Sequence, residues 1–192
     1  MKLQVSAILM ASAIAYPAIG ALPTGAPAPD FSAPASLAGK TFTFSLKAAL
    51  ANGPVVVYFF PAAFTGGCNA QAHAFAVKKD KFSATGATVI GVSLDSIARL
   101  NDFSADPEYC GGKVPVASDV GGKVARSYDL KVSAAEVGLK DSRGVAIDHG
   151  FAERTTFIVT PDGRIAATVG GLSPTANVDA ALQTVQRLAG KQ

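Results

Sequence analysis

Cysteine and histidine are scarce in this chain: Cys68, Cys110, His73 and His149 are the only ones in 192 residues. That excludes a cysteine-rich zinc site, which needs several clustered ligands, and no metal site is expected. No Cys-x-x-Cys or Cys-x-x-x-Cys pair is present, because Gln71 and Ala72 occupy the positions where a second cysteine would follow Cys68. The first absence counts against a thiol–disulfide oxidoreductase, the second against a copper carrier with soft paired ligands. Excess charge is also missing. Seventeen Lys and Arg face fourteen Asp and Glu, a net charge of +3 that argues against a nucleic-acid partner. The densest basic run, Lys78, Lys79 and Lys81, is broken by Asp80 and falls where a helix should end, so it reads as a solvated helix terminus. Internal repeats and low-complexity domains are absent, and no segment beyond the N-terminus has the length and apolarity of a membrane span.

The N-terminus itself is distinctive. Lys2 precedes an apolar run from Val5 to Tyr16, then Pro17 and the small-residue stretch Ala18-Ile19-Gly20-Ala21. This is the layout of a secretory signal peptide, with cleavage expected near Gly20 or Ala21. Pro17 interrupts the run well short of the roughly twenty residues that a membrane anchor requires. Residues 1–21 are therefore expected to be removed, leaving 22–192 as one exported domain, periplasmic or secreted, with no membrane association after cleavage. Losing Lys2 leaves sixteen basic against fourteen acidic residues. Monomer and homodimer both remain open.

Residues 22–36 carry Pro23, Pro27, Pro29 and Pro34 and read as an extended lead-in, with little room for helix or central strand. Thr41 to Leu46 alternates polar and apolar residues, which predicts a half-buried strand, and a short turn then ends at Asn52-Gly53. Val55 to Phe60 is continuously apolar and β-prone, the pattern of a strand covered on both faces. A helix is expected from about Cys68 to Phe82, a second buried strand over Thr88–Leu94, and a helix capped by Asp95-Ser96 through Phe103. Another short helix is expected from Gly121 to Tyr128. This alternation implies parallel pairing. Arg154–Thr160 and Ile165–Val169, joined by Pro161-Asp162-Gly163, predict a hairpin. Pro174–Ala189 closes the chain as a helix with Val178, Leu182, Val185 and Leu188 on one face. Lys131–Gly150 lacks firm periodicity and reads as loop or irregular hairpin. The fold class is α/β: a thioredoxin-like layout with a central mixed sheet flanked by helices and an N-terminal extension.

Pro61-Ala62-Ala63-Phe64-Thr65-Gly66-Gly67-Cys68 stands between a buried strand and a helix start. Cys68 then falls in the first helical turn, where unpaired N–H groups and the positive end of the helix dipole favour a thiolate. At Pro61, Thr65 and Cys68 the chain resembles the P-x-x-x-T-x-x-C motif of the peroxiredoxins, the AhpC/TSA family of the thioredoxin superfamily. The resemblance extends to Gly25-Ala26-Pro27-Ala28-Pro29-Asp30-Phe31, to Gly91-Val92-Ser93-Leu94-Asp95-Ser96, and to Arg154 ahead of Thr155-Thr156-Phe157-Ile158-Val159. Within that family the chain is similar to the Q-type or bacterioferritin-comigratory subgroup.

The resemblance implies a peroxidase that reduces hydrogen peroxide and organic hydroperoxides without a cofactor, using thioredoxin or another thiol as reductant. Cys68 would be the peroxidatic nucleophile, Thr65 a hydroxyl donor, Arg154 a fixed cation with forked donors, and Pro61 a cover over the thiolate. Simple roles compete: turn or cap for Thr65, strand terminator for Pro61, edge-strand charge for Arg154. His73 is expected to be a packing or surface residue and His149 loop surface. A low thiol pKa alone is a weak catalyst. Moving it from about 8.5 to about 6 multiplies the thiolate fraction at neutral pH roughly thirtyfold, while nucleophilicity falls roughly thirteenfold for a Brønsted slope of about 0.45. Oriented donors and a cation must do the rest.

Cys110 follows Cys68 by forty-two positions, in Asp106-Pro107-Glu108-Tyr109-Cys110-Gly111-Gly112, which reads as a mobile loop. Three roles stay open: a resolving cysteine that attacks the oxidised Cys68, an idle thiol, or one half of a permanent bridge. The chain also departs from the subgroup. Asn69 and Gln71 replace the usual Thr and Glu, His73 stands where a resolving cysteine often lies, and Ser104 marks the other common place.

Overall fold

A computed structural model describes residues 20–190. Most of the expected signal peptide, residues 1–19, lies outside the described residues. In chain order the elements are β1 (Ser32–Leu37), β2 (Lys40–Ser45), α1 (Leu46–Leu50), β3 (Val55–Phe59), α2 (Gly66–Val77), α3 (Lys79–Ala84), β4 (Thr88–Ser93), α4 (Ile97–Ala105), β5 (Val116–Ser118), α5 (Lys123–Ser127), β6 (Thr155–Val159), β7 (Ile165–Gly170) and α6 (Pro174–Ala189). The strands form one seven-stranded sheet in the order β2-β1-β5-β4-β3-β6-β7. β3, β4 and β5 run parallel, while β1, β2, β6 and β7 join by antiparallel pairing. The expected mixed sheet flanked by helices is what forms.

Strand β3 explains the layering. All five of its residues are buried. Because successive side chains of a strand point to opposite faces, Val56, Tyr58 and the following Phe60 enter one core with Phe75 of α2, Phe103 of α4 and Val178, Leu182 and Val185 of α6. Val55, Val57 and Phe59 enter the other, with Leu46 and Leu50 of α1, Ala125 of α5 and Tyr128. Each such large apolar side chain contributes roughly 1.5–3 kcal/mol on burial.

Two expectations need correction, and one strand went unread. The lead-in contains a strand despite Pro34. Leu46 N–H donates to the Phe31 carbonyl, so the alternating ladder puts the Pro34–Thr43 pair at a position where Pro34 needs no N–H toward β2. On its other side β1 meets β5 only at Ala35 and Ser36, so the missing donor costs nothing there. The single helix expected from Cys68 to Phe82 is two, broken at Lys78 (φ −96°, ψ 7°). The break leaves Val77 65% exposed while Phe82 is fully buried. Finally, β5 is a three-residue strand too short to announce itself by periodicity.

Helix starts follow local chemistry. Ser45, Ser96 and Ser173 cap α1, α4 and α6 through their hydroxyls. For α5 the capping is done from a distance by Asp119, whose carboxylate accepts the N–H groups of Val124 and Ala125 at 2.9 and 2.8 Å. The segment 131–150 is irregular, with isolated bridges Val132–Ala152 and Lys140–Ala146. Among the described residues no helix is long and apolar enough to cross a membrane.

Candidate active site

Thr155, the first residue of β6, pairs with Phe59, the last of β3. This register delivers Arg154 to the place where the chain leaves β3 for the Pro61–Gly67 loop. α2 begins at Gly66, so Cys68 is its third residue, in the first turn as expected. Cys68 as a whole is 2% exposed. Arg154 Nη2 donates to Cys68 Sγ at 3.3 Å, and Gly67 makes room for it: a Cβ there would stand 3.1 Å from that same nitrogen.

The other arm of the guanidinium, Nη1, donates to Gln71 Oε1. Gln71 sits one helical turn after Cys68 on the same face and is fully buried. Its amide passes the connection on: Nε2 donates to Asn177 Oδ1 at 3.0 Å, which also accepts from Thr156 Oγ1 at 2.6 Å, and Asn177 Nδ2 donates to the Val169 carbonyl at 3.0 Å. Gln71, noted in the sequence only as a departure, is thus the link that fixes Arg154. Its spacing from Cys68 is a signal that sequence reading can use. Asn177 and Thr156 carry none, because α6 and β6 meet there only through the tertiary fold.

Thr65 is the N-cap residue of α2, but its hydroxyl makes no cap bond. It donates instead to the Ala62 carbonyl at 2.8 Å, which closes the loop on itself and leaves the hydroxyl oxygen free to accept. Pro61 follows the end of β3 and is half-buried. Arg154 is no edge-strand charge, since β6 lies between β3 and β7.

Cys110 corrects the expectation of a mobile loop. The 106–113 segment is a compact set of turns, closed by Gly111 N–H to Asp106 carbonyl at 2.8 Å and Gly112 N–H to Ser104 carbonyl at 2.9 Å. Gly111 and Gly112 both take positive φ, which lets the chain fold this tightly. Cys110 is fully buried in the same core as Cys68, and both thiols are free. Burial, aided by the charge of Asp106, pushes the Cys110 thiol pKa far up, so in this conformation it is not a nucleophile. The fully buried Tyr58 stands near both sulfurs: burial raises its pKa, and charge on Cys110 or Cys68 would raise it further. Its ring stacks on Phe75 with centroids 4.3 Å apart.

His73 is exposed, and its Nδ1 meets the Glu108 carbonyl at 2.9 Å, tying α2 to the Cys110 segment. His149 is not loop surface as expected. It is partly buried, with Nε2 2.9 Å from Asp95 Oδ1. Among the described residues no cluster of His, Cys, Asp and Glu is arranged to hold a metal ion.

Comparison with known proteins bears on the family and the fold. The sequence profile described as the AhpC/TSA family matches residues 24–168. Peroxiredoxin Bcp of Xanthomonas campestris is 29% identical over 160 residues, covering 83% of this chain and 92% of the relative. The crystal structure of peroxidoxin BcpB from Mycobacterium tuberculosis superposes with a TM-score of 0.72 at 27% identity, covering 86% of this chain and 97% of that one. Peroxiredoxin Q of X. campestris gives a TM-score of 0.65 at 28% identity, over 81% of this chain and 90% of that one.

Proposed function

The chain belongs to the AhpC/TSA family, whose thioredoxin-like peroxiredoxin fold it shares and whose Q-type branch it resembles; from that premise we propose that this thiol peroxidase works through Cys68 as peroxidatic cysteine and Cys110 as resolving cysteine. The observation that carries the reading is the Arg154–Cys68 contact at 3.3 Å, made at the first turn of α2.

The Cys68 thiolate attacks the nearer oxygen of a hydroperoxide. The S–O bond forms as the O–O bond breaks, sulfur is oxidised to sulfenic acid, and the other oxygen leaves as alkoxide or hydroxide that takes up a proton. Arg154 offers two fixed donors and a permanent charge to the oxygens as negative charge shifts outward. The Cys68 N–H, in the first turn of α2, has no helical acceptor and is available as a further donor, and Thr65, whose proton is held by the Ala62 carbonyl, offers its hydroxyl oxygen to accept the hydroperoxide O–H. Pro61 has no N–H to attract water beside the thiolate. Removing one such oriented donor costs roughly 10²–10³ in rate in other enzymes.

In the second half-reaction Cys110 gives up its proton and its sulfur attacks the sulfenic sulfur: the S–S bond forms as the S–O bond breaks, and the leaving hydroxide takes up that proton, giving a Cys68–Cys110 disulfide and water. An external dithiol such as thioredoxin then reduces it. The turns around Cys110 must open first, because the thiol is wholly buried and protonated. Export fits the signal-peptide layout of residues 1–21 and is tested by the N-terminal mass of the protein recovered from outside the cytoplasm. The activity itself is tested by rapid mixing of reduced protein with hydrogen peroxide. The wild type should react orders of magnitude faster than a free thiol and Cys68→Ser not at all; a wild-type rate equal to that of free cysteine overturns the proposal.

A further inference from the structure

A buried group of charges that does not include Arg154 braces the Pro61–Cys68 loop. The Ala63 peptide is held at both ends: its N–H donates to Asp95 Oδ2 at 2.8 Å, and its carbonyl accepts from Arg99 Nη2 at 3.0 Å. The next residue, Phe64, takes a left-handed backbone with φ 61°, a conformation that costs about 1–3 kcal/mol for such a side chain and persists only where surroundings enforce it. Its carbonyl accepts both the N–H and the hydroxyl of Ser142, at 2.9 and 2.8 Å. These contacts set the path of the chain into Thr65 and Cys68.

Asp95 is the hub. Oδ2 also accepts from Ser93 Oγ at 2.8 Å. Oδ1 lies 2.8 Å from Arg99 Nε, an ion pair whose N–H is not aimed at the oxygen, so His149 Nε2 at 2.9 Å is its aligned donor. The opposite ring nitrogen, Nδ1, lies 2.8 Å from the Gly150 carbonyl. Both ring nitrogens therefore face oxygen acceptors. A neutral imidazole carries one N–H and cannot satisfy both, whereas the imidazolium donates twice.

We infer that His149 is a positioning residue that acts as an imidazolium: bridging Asp95 and the Gly150 carbonyl, it fixes the carboxylate that holds Ala63, and reaction of Cys68 with peroxide slows when His149 loses its proton. This rests on the peroxidatic role of Cys68. The charged groups facing the ring are Asp95 from the β4–α4 corner and Asp148 of its own loop; Arg99 of α4 shares Asp95, and Asp141 and Arg143 lie beyond Arg99. Burial disfavours charge on the ring, but the hydrogen bonds to Asp95 and Gly150 and the charges of Asp95 and Asp148 outweigh it, and the His149 pKa is raised.

The test pairs two measurements on the reduced, full-length mature protein. Nitrogen NMR of the His149 ring gives its protonation in the wild type without any substitution. Stopped-flow peroxide reduction across neutral to alkaline pH gives the rate. The imidazole should be doubly protonated at neutral pH, and the rate should fall about tenfold as it titrates, the scale of a modest misplacement of reacting groups. His149→Gln should start lower and lack that alkaline limb. A neutral ring at neutral pH, or an unchanged alkaline profile in His149→Gln, overturns the inference while leaving Cys68 chemistry intact. Free-thiol rates at every pH would overturn both.

Discussion

Arg154 Nη2 lies 3.3 Å from Cys68 Sγ while its other arm is anchored on Gln71. The guanidinium is thereby aimed, and aim matters more here than charge. A lysine keeps the charge but has no second arm to hold on Gln71. Arg154→Lys should lower the second-order rate with hydrogen peroxide by about 10²-fold, and Gln71→Ala by about tenfold, both measured by stopped flow with the fold checked by circular dichroism. Equal rates in wild type and Arg154→Lys would show that charge alone suffices.

Cys110 is packed, not poised. The reduced protein should therefore show strong amide protection across 106–113, and oxidation by one equivalent of peroxide should release it as the segment opens. Hydrogen exchange followed by mass spectrometry reads this directly. In Cys110→Ser the segment should stay protected after peroxide, because no disulfide forms to hold it open.

The Asp95–His149 pair makes stability depend on pH from both sides. The hydrogen bonds from His149, Ala63 and Ser93 and the charge of His149 outweigh the burial that favours protonation, so the Asp95 carboxyl is held below its ordinary value. Its contribution is present above the unfolded carboxylate pKa of about 3.9 and is lost as pH falls through the folded value. His149 is raised. Its contribution is complete below the unfolded value of about 6.5 and is lost as pH rises through the folded one. The difference in melting temperature between wild type and His149→Gln should be largest near pH 5–6 and shrink toward alkaline pH. A constant difference would contradict the pairing.

Gly91 of β4 is required by an aromatic neighbour. A Cβ at this position would stand 2.5 Å from Tyr58 Cζ and 3.0 Å from Phe60 Cε1, and neither ring can yield, because both are fully buried. Gly91→Ala should destabilise the protein by about 1–3 kcal/mol, lowering the melting temperature by several degrees.

These residues also show what a sequence makes legible. The buried strand Val55–Phe59, the Ser96 cap and the α6 stripe follow from periodicity and capping chemistry, which are local, and they are found where expected. Cys68 and Arg154 were readable because the resemblance marks them, Cys68 in the P-x-x-x-T-x-x-C motif and Arg154 ahead of the Thr155–Val159 run. His149 was not: its neighbour Asp95 is fifty-four positions away, and nothing in Asp148-His149-Gly150 signals a buried partner. Cys110 misled for a related reason. Paired glycines mark a turn, but whether a turn is loose or packed depends on Phe64 and Phe103, whose rings meet Tyr109 at 5.8 and 5.6 Å.

The central claim is that Cys68 takes the oxygen and Cys110 removes it. Peptide mass mapping after adding one equivalent of hydrogen peroxide to reduced protein tests both halves at once. A Cys68–Cys110 disulfide should form in the wild type and a Cys68 sulfenic acid, trapped by dimedone, in Cys110→Ser. Sulfenic acid persisting on Cys68 of the wild type with Cys110 still free, or oxidation that begins at Cys110, would contradict it.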